Sequence, residues 1–136
     1  EMELGNLNLF AVLAAALANF LIGGMWYSPA LFGKVWMRAN GFTEADLNKG
    51  SAAKIFGFAF VFCLIMAANL AAFLAGPETT LGFAVAAAVA AGLGWAALGL
   101  GVVALFERRP WSYILVNGGY LTVSFAAMGV ILGLWR

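Results

Sequence analysis

Residues 79–106 read TTLGFAVAAAVAAGLGWAALGLGVVALF and contain no charged side chain. Three more uncharged stretches accompany this one, at residues 4–33, 55–77 and 110–135. Each is longer than the roughly 20 residues that one helix needs to cross the hydrocarbon core of a bilayer. The sequence therefore predicts an all-α fold, an integral membrane four-helix bundle. The predicted spans lie at about residues 7–27, 54–75, 81–106 and 112–135, within a few residues.

The composition supports this class and excludes several functions. The chain is 65% hydrophobic and 10% charged, and its net charge of +1 gives no reason to expect nucleic acid binding. We predict a single membrane domain over residues 1–136, since four spans leave little chain for anything else. There is no histidine, and Cys63 is the one cysteine. The usual Cys/His zinc sites, disulfides within the chain and thiol–imidazole catalysis are thereby excluded, and we assign no cofactor or metal site.

The basic residues predict how the chain crosses the membrane. Six of the seven fall in the first and third connections, which lie on one side of a four-span protein: Lys34, Arg38, Lys49, Lys54, Arg108 and Arg109. The positive-inside rule then places these connections in the cytoplasm and both termini on the other side. Within the first connection, residues 30–37 mix apolar and basic side chains at helical spacing. They predict a short amphipathic segment on the cytoplasmic leaflet.

The third span is rich in small residues that recur every four positions. One such row is Gly82, Ala86, Ala90 and Gly94, and a second contains Ala84, Ala88, Gly92 and Ala96. Small residues let helix backbones approach closely, which is a main source of attraction between helices in lipid. We therefore predict a helix-packing role for these positions and neighbours on several faces, some from another copy. Trp95, near mid-membrane, is expected either to line a cavity or to wedge between helices, and we favour the wedge.

Polar residues of the first and fourth spans predict a contact between these helices. Asn117, Tyr120 and Ser124 share one helical face, and Asn19 and Tyr120 both lie about 12 Å from the cytoplasmic helix ends at 1.5 Å per residue. Two interpretations of this candidate polar cluster remain open. The side chains tie helices together by hydrogen bonds, or they line a small polar pocket or pore.

Charged residues are absent from the interior of all four predicted spans. Transporters coupled to protons or ions usually place such a residue along their pathway. The carboxylates lie at chain ends or in connections, and no nucleophile–base pair is apparent, so we predict that the protein is not an enzyme and assign no catalytic residue.

Two segments resemble a known family. Residues 23–37 read GGMWYSPALFGKVWM, and residues 104–110 read ALFERRP, followed by Asn117-Gly118-Gly119-Tyr120. Together they are similar to a bacterial membrane family catalogued as domain of unknown function 1761. The resemblance implies four helices and no established activity. We expect a multi-pass protein of the bacterial inner membrane.

The resemblance also directs attention to the charged end of the third span. Arg108 or Arg109 is a candidate for binding an anionic lipid headgroup. Alternatively, Glu107 pairs with Lys34 or Arg38 and fixes the first connection.

Our functional hypothesis is a non-enzymatic membrane protein. It packs as an accessory subunit that self-associates or binds other membrane proteins and lipids. The expected partners are membrane lipids and further copies of the chain or a larger membrane complex. The alternative is a channel or facilitator for a small neutral solute that passes Asn19, Asn117, Tyr120 and Ser124.

Overall fold

The computed structural model describes residues 7–136, which form helices and turns without a strand among them. Its helices are, in chain order, α1 (Leu9–Trp26), α2 (Gly33–Asn40), α3 (Glu44–Leu47), α4 (Ala52–Phe73), α5 (Leu81–Ala91), a π-helical segment (Gly92–Ala97), α6 (Leu98–Phe106) and α7 (Trp111–Leu134). The segments from Leu81 to Phe106 form one continuous helix, here called the third span.

Four of these helices are long and apolar enough to cross a membrane: α1, α4, the third span and α7. The prediction of an all-helical fold with four membrane-spanning helices is confirmed. Each predicted boundary lies within two residues of the observed one. The side of the membrane on which the termini lie stays a prediction. We call the end of the bundle that carries α2 and α3 the loop end, and the opposite end the terminal end.

Polar side chains define where three of the long helices begin. Asn8 accepts hydrogen bonds from the backbone of Phe10 and Ala11, Ser51 accepts one from Lys54, and Thr80 accepts one from Phe83. Each bond satisfies an N–H group that the first helical turn would otherwise leave without a partner, which matters in a medium without water.

The connection between α1 and α4 contains the short helix α3, which begins after Thr43. Thr43 and Asp46 form a capping box. The Thr43 backbone N–H donates to the Asp46 carboxylate at 2.8 Å, and the Asp46 backbone N–H donates to the Thr43 hydroxyl oxygen at 3.3 Å. The bond from the Thr43 backbone lowers the pKa of the Asp46 carboxyl. Gly41, with φ of 69°, ends the amphipathic helix α2 as a left-handed cap.

The four spans follow one another in space in the order α4, α1, α7, third span. Helix α7 is the central element, because it packs along both α1 and α5. Helix α4 and the third span have little direct contact. They face each other across an apolar groove of about 350 Å³.

The core at the terminal end consists mainly of alanines from α1, α4 and α5, packed around Met128 and Leu132 of α7. The backbones of α5 and α7 nearly touch there. A Cβ atom at Gly129 would lie 2.6 Å from Cβ of Ala88 and 3.0 Å from the carbonyl oxygen of Ala84, and one at Gly92 would lie 2.5 Å from Cβ of Phe125. Glycine at these positions therefore permits the closest helix approach in the bundle.

The π-helical segment changes which residues of the third span face α7. The buried positions are spaced by four up to Gly92, at Ala84, Ala88 and Gly92, and then continue at Ala97 and Gly101. The wider turn of a π-helix accommodates one extra residue, so Ala97 takes the buried position that a regular helix would give to Ala96. Ala96 itself is half-buried.

The other predicted packing row lies on the surface of the chain. Gly82, Ala86, Ala90 and Gly94 are all exposed, because they lie on the side of α5 opposite Ala84 and Ala88. Within the described chain no helix packs on this row, so the predicted neighbours on this face stay a prediction. Trp95 is 76% exposed and lines the apolar groove between α4 and the third span, so it does not wedge between helices of the chain.

The close approach of α5 and α7 leads to a prediction for Gly129. We expect Gly129→Ala to lower the free energy of unfolding by about 1–3 kcal/mol, because the added methyl group overlaps Ala88 and the backbone of α5. Titration of the folded protein with sodium dodecyl sulfate measures this. Gly57→Ala on α4 is the matched control, since a Cβ atom there meets no atom within 4 Å. Equal stability of the two variants would contradict the packing described.

Candidate functional site

The chain reverses direction after α1 in a compact turn formed by residues 26–33. The Phe32 backbone donates to the Trp26 carbonyl at 2.9 Å, and the Gly33 backbone donates to the Ser28 carbonyl at 2.9 Å. A Cβ atom at residue 33 would lie 2.6 Å from the Tyr27 carbonyl oxygen, so this turn requires glycine at Gly33. The turn carries α2 back towards α7 and positions Trp26 and Tyr27 against it.

Trp26 and Tyr27 join this turn to α7. The Trp26 indole Nε1 donates to the Val116 carbonyl at 2.8 Å. The Trp26 ring also packs on Gly119, where an ideal Cβ atom would lie only 2.9 Å from its Cζ2 atom. The Tyr27 hydroxyl donates to Oδ1 of Asn117 at 2.6 Å. The two segments that resemble the family, at residues 23–37 and 117–120, are thus in direct contact.

Asn19 and Tyr120 form the second polar contact between α1 and α7. The Tyr120 hydroxyl donates to Oδ1 of Asn19, whose side chain is fully buried, and the Asn19 amide approaches Sδ of Met66 at 3.8 Å. Gly23 makes room for the Tyr120 ring, since an ideal Cβ there lies 3.3 Å from its Cε1 atom. The Tyr27 and Tyr120 rings lie 5.6 Å apart, so the two hydrogen-bonded pairs adjoin each other.

The predicted polar cluster is only partly assembled. Asn19 meets Tyr120, as their equal depth indicates, whereas Asn117 bonds to Tyr27 instead of Asn19. Ser124 is fully buried one turn further along α7, and its hydroxyl has no hydrogen-bond partner among the described residues. These contacts correspond to the first interpretation, in which amides and phenols tie helices together.

The charged residues at the end of α6 do not fix the first connection. Glu107 pairs with Arg109 at 3.6 Å, and the Arg109 guanidinium lies 5.2 Å from the centre of the Tyr113 ring. Within residues 7–136, Lys34 and Arg38 form no ion pair, so the predicted pairing with Glu107 is wrong. The reason is geometric, because α2 packs against α7 and its basic side chains are exposed.

Arg108 has an unusual backbone conformation. Its φ of 64° lies in the left-handed region, and this bend lets the Arg109 backbone donate to the Ala104 carbonyl at 2.9 Å. Such a helix end usually carries glycine, because a side chain there costs about 1 kcal/mol. Arg108 is exposed and lies one residue from the Glu107–Arg109 pair.

A cavity of about 670 Å³ adjoins the polar contacts at the loop end. Its walls come from α1, α2 and α4, the loop after α3 covers its mouth, and Cys63 and Tyr120 lie at its floor. The Tyr27 and Trp36 rings, 5.5 Å apart, form one side. Most of the lining is apolar or aromatic, which is typical of sites for small organic molecules.

Sequence reasoning overlooked several of these residues. Trp26 and Tyr27 were not among the predicted polar contacts, yet both bond to α7. Their depth could have indicated these contacts, because both residues lie at the end of α1, level with the start of α7. Cys63 gave no comparable signal. Among residues 7–136 there is no group of three or more Cys, Asp or Glu side chains placed to hold a metal ion.

The contact between Tyr27 and Asn117 leads to a double-mutant prediction. We expect Tyr27→Phe and Asn117→Ala each to reduce stability, and their coupling to be about 0.5–2 kcal/mol, the range for hydrogen bonds between membrane helices. Unfolding in sodium dodecyl sulfate measures the four proteins of the cycle. Thr80→Ala, which removes a capping hydrogen bond at the opposite end of the bundle, serves as the control, and its coupling to Asn117→Ala should be near zero. Purely additive effects of Tyr27→Phe and Asn117→Ala would contradict the bond.

Comparison with known proteins places the chain in one family. Residues 10–133 match the family described as Protein of unknown function (DUF1761), so the match covers most of the chain and includes both contacting segments. No curated protein and no solved structure matches the chain.

Proposed function

The chain belongs to this family of unknown function, and from its geometry we propose that it is a non-enzymatic membrane protein that works as an assembly of its own copies. The interface in this proposal is the outer face of the third span. We further propose that it is a multi-pass protein of the bacterial inner membrane. The six basic residues of the first and third connections support a cytoplasmic position for those connections. Anionic lipids are the expected partners of these side chains.

The observation that carries the proposal is the exposed row of Gly82, Ala86, Ala90 and Gly94. Between helices in lipid, close van der Waals contact replaces the hydrophobic effect as the source of attraction, and small residues permit that contact. The chain's own helices use the opposite row, Ala84 and Ala88, in this way against α7. The exposed row offers the same surface to a second copy.

Trp95 supports the proposal independently. It lies near the middle of the third span, is 76% exposed, and its indole N–H has no hydrogen-bond partner among the described residues. An indole at that depth lies away from the headgroup region where tryptophan is usually enriched. A second copy packed on this face would cover the ring and bring an acceptor to it.

The distribution of carboxylates supports a non-enzymatic role. Glu44, Asp46, Glu78 and Glu107 all lie outside the four long helices, and Glu1 and Glu3 lie outside the described residues. The polar side chains inside the bundle are committed mainly to bonds with each other, as in the pairs Tyr27–Asn117 and Tyr120–Asn19. Such pairs act as structural links between helices.

The packing also favours assembly over the alternative of a solute channel. A channel would continue past Asn19 and Tyr120 towards the terminal end. The next residues in that direction include Ala15, Ala16, Ala67 and Met128, which are 0% exposed. A dry, close-packed layer of this kind leaves no room for a file of water or solute.

Substitution of Gly94 tests the proposed interface. We expect the wild-type protein to form dimers in lipid bilayers and Gly94→Leu to weaken them by about fivefold or more, because the added side chain separates the two backbones. Counting of photobleaching steps from singly labelled protein measures the dimer fraction. Gly57→Leu on α4 is the matched control, since both glycines have open space at the Cβ position. A monomeric wild-type protein, or equal loss in both variants, would refute the proposal.

A further inference from the structure

The cavity at the loop end is separate from the proposed interface, since its walls come from α1, α2, α4 and the loop after α3. We propose that it binds a single-chain amphiphile with an anionic head, such as a fatty acid, with the chain between α1 and α4 and the head at the loop. This inference does not depend on self-association of the protein.

The size of the cavity suits such a ligand. Its volume of about 670 Å³ lies within the range of about 300–1,000 Å³ that is typical of sites for small organic molecules. The lining residues of α4 extend from Ala52 to Cys63, which corresponds to about 16 Å along the helix at 1.5 Å per residue. The cavity is therefore elongated along the bundle, as an extended acyl chain requires.

The walls of the cavity are apolar over most of this length. Phe20 of α1 contacts Phe56 and Phe60 of α4 edge to face, with ring centres 6.2 and 5.6 Å apart. Ile55 and Ala59 continue the wall on α4. In a bilayer the hydrocarbon chain is already out of water, so its attraction to these walls comes from van der Waals contact and fit, and not from the hydrophobic effect.

The floor of the cavity offers little to a polar head. The Tyr120 hydroxyl donates to Asn19, and the Tyr27 hydroxyl donates to Asn117. Neither phenol is therefore free to donate a hydrogen bond to a ligand. Cys63 provides only a weak donor. A charged head placed at this depth would lose its hydration without adequate compensation. The head must therefore lie at the opposite end, at the mouth.

The mouth carries the polar and basic groups. Asn48, Lys49 and Gly50 line it, and all three are exposed. Lys49 pairs with Asp46 at 3.3 Å, but an exposed pair of this kind is weak, so the ammonium can reach an anionic head. The connection that covers the mouth contains three basic residues and two acidic ones, and a further basic residue follows at the start of α4. The basic residues are Lys34, Arg38, Lys49 and Lys54, and the acidic ones are Glu44 and Asp46. This positive excess favours an anionic head over a cationic one.

Photolabelling tests the proposal in membranes. The protein in phosphatidylcholine nanodiscs is irradiated with a fatty acid that carries a diazirine on its chain, and the labelled peptides are identified by mass spectrometry. We expect saturable labelling, about one molecule per chain, within residues 20–27 and 52–63. Unlabelled laurate should compete at least about fivefold better than dodecyltrimethylammonium, because the two share a chain and differ in head charge.

Cavity-filling variants make the test specific. An ideal Cβ atom at Gly24 meets no atom within 4 Å, so Gly24→Phe should fill the cavity without disturbing the helices, and Ala59→Phe fills it from the opposite wall. Each should reduce saturable labelling by about tenfold. Gly57→Phe, on α4 outside the cavity, should leave it unchanged. Labelling spread over the lipid-facing helices, equal labelling in all variants, or equal competition by the cationic amphiphile would overturn the proposal.

Discussion

The close approach of α7 to its neighbours is the constraint on which the rest of the structure depends. Lipid chains are as apolar as the helices, so burial of apolar surface does not drive the helices together. Their attraction depends instead on close van der Waals packing between surfaces of matching shape. Gly129 and Gly133 allow this contact with α5, because any side chain there would overlap Ala88 or Ala84. Since α7 also packs along α1, its position fixes the order of the four spans.

The two ends of the bundle use different physical means to hold α1 against α7. At the terminal end, Ala11, Ala15 and Met128 pack into a dry core. At the loop end, large aromatic side chains and hydrogen bonds replace this packing, as in the contact of Trp26 with Val116 and Gly119. Large rings pack with fewer close backbone contacts than alanines do. The cavity beside Tyr27 and Tyr120 also lies at this end.

Much of this architecture could be predicted from the sequence, and the rest could not for identifiable reasons. The lengths of the uncharged stretches gave the four spans, and the depth of Asn19 and Tyr120 gave their contact. The buried face of the third span was not predictable. Its small residues recur on several faces. Ala86 is exposed and Ala88 is buried although both are alanines, so residue type does not identify the buried face. The π-helical turn, which buries Ala97, has no simple signal in sequence.

The side-chain partners at the loop end were likewise beyond sequence reasoning. From the sequence, Glu107 could pair with Lys34, Arg38 or a neighbouring arginine. In the structure it pairs with Arg109, because α2 packs on α7 and keeps Lys34 and Arg38 away from it. Asn117 could bond to any polar group at its depth. Tyr27, at the start of the turn that requires Gly33, bonds to Asn117, whereas Asn19 bonds to Tyr120.

Cysteine cross-linking tests most directly whether the uncovered face of the third span is an interface between copies. In a Cys63→Ala background, a cysteine is introduced by Ala86→Cys on the exposed row, or by Gly57→Cys on α4 as the control. In a symmetric dimer, residues near the two-fold axis meet their own counterparts. The account predicts rapid disulfide-linked dimers in native membranes for Ala86→Cys and few for Gly57→Cys. Equal cross-linking at the two positions, or none at residue 86, would contradict it.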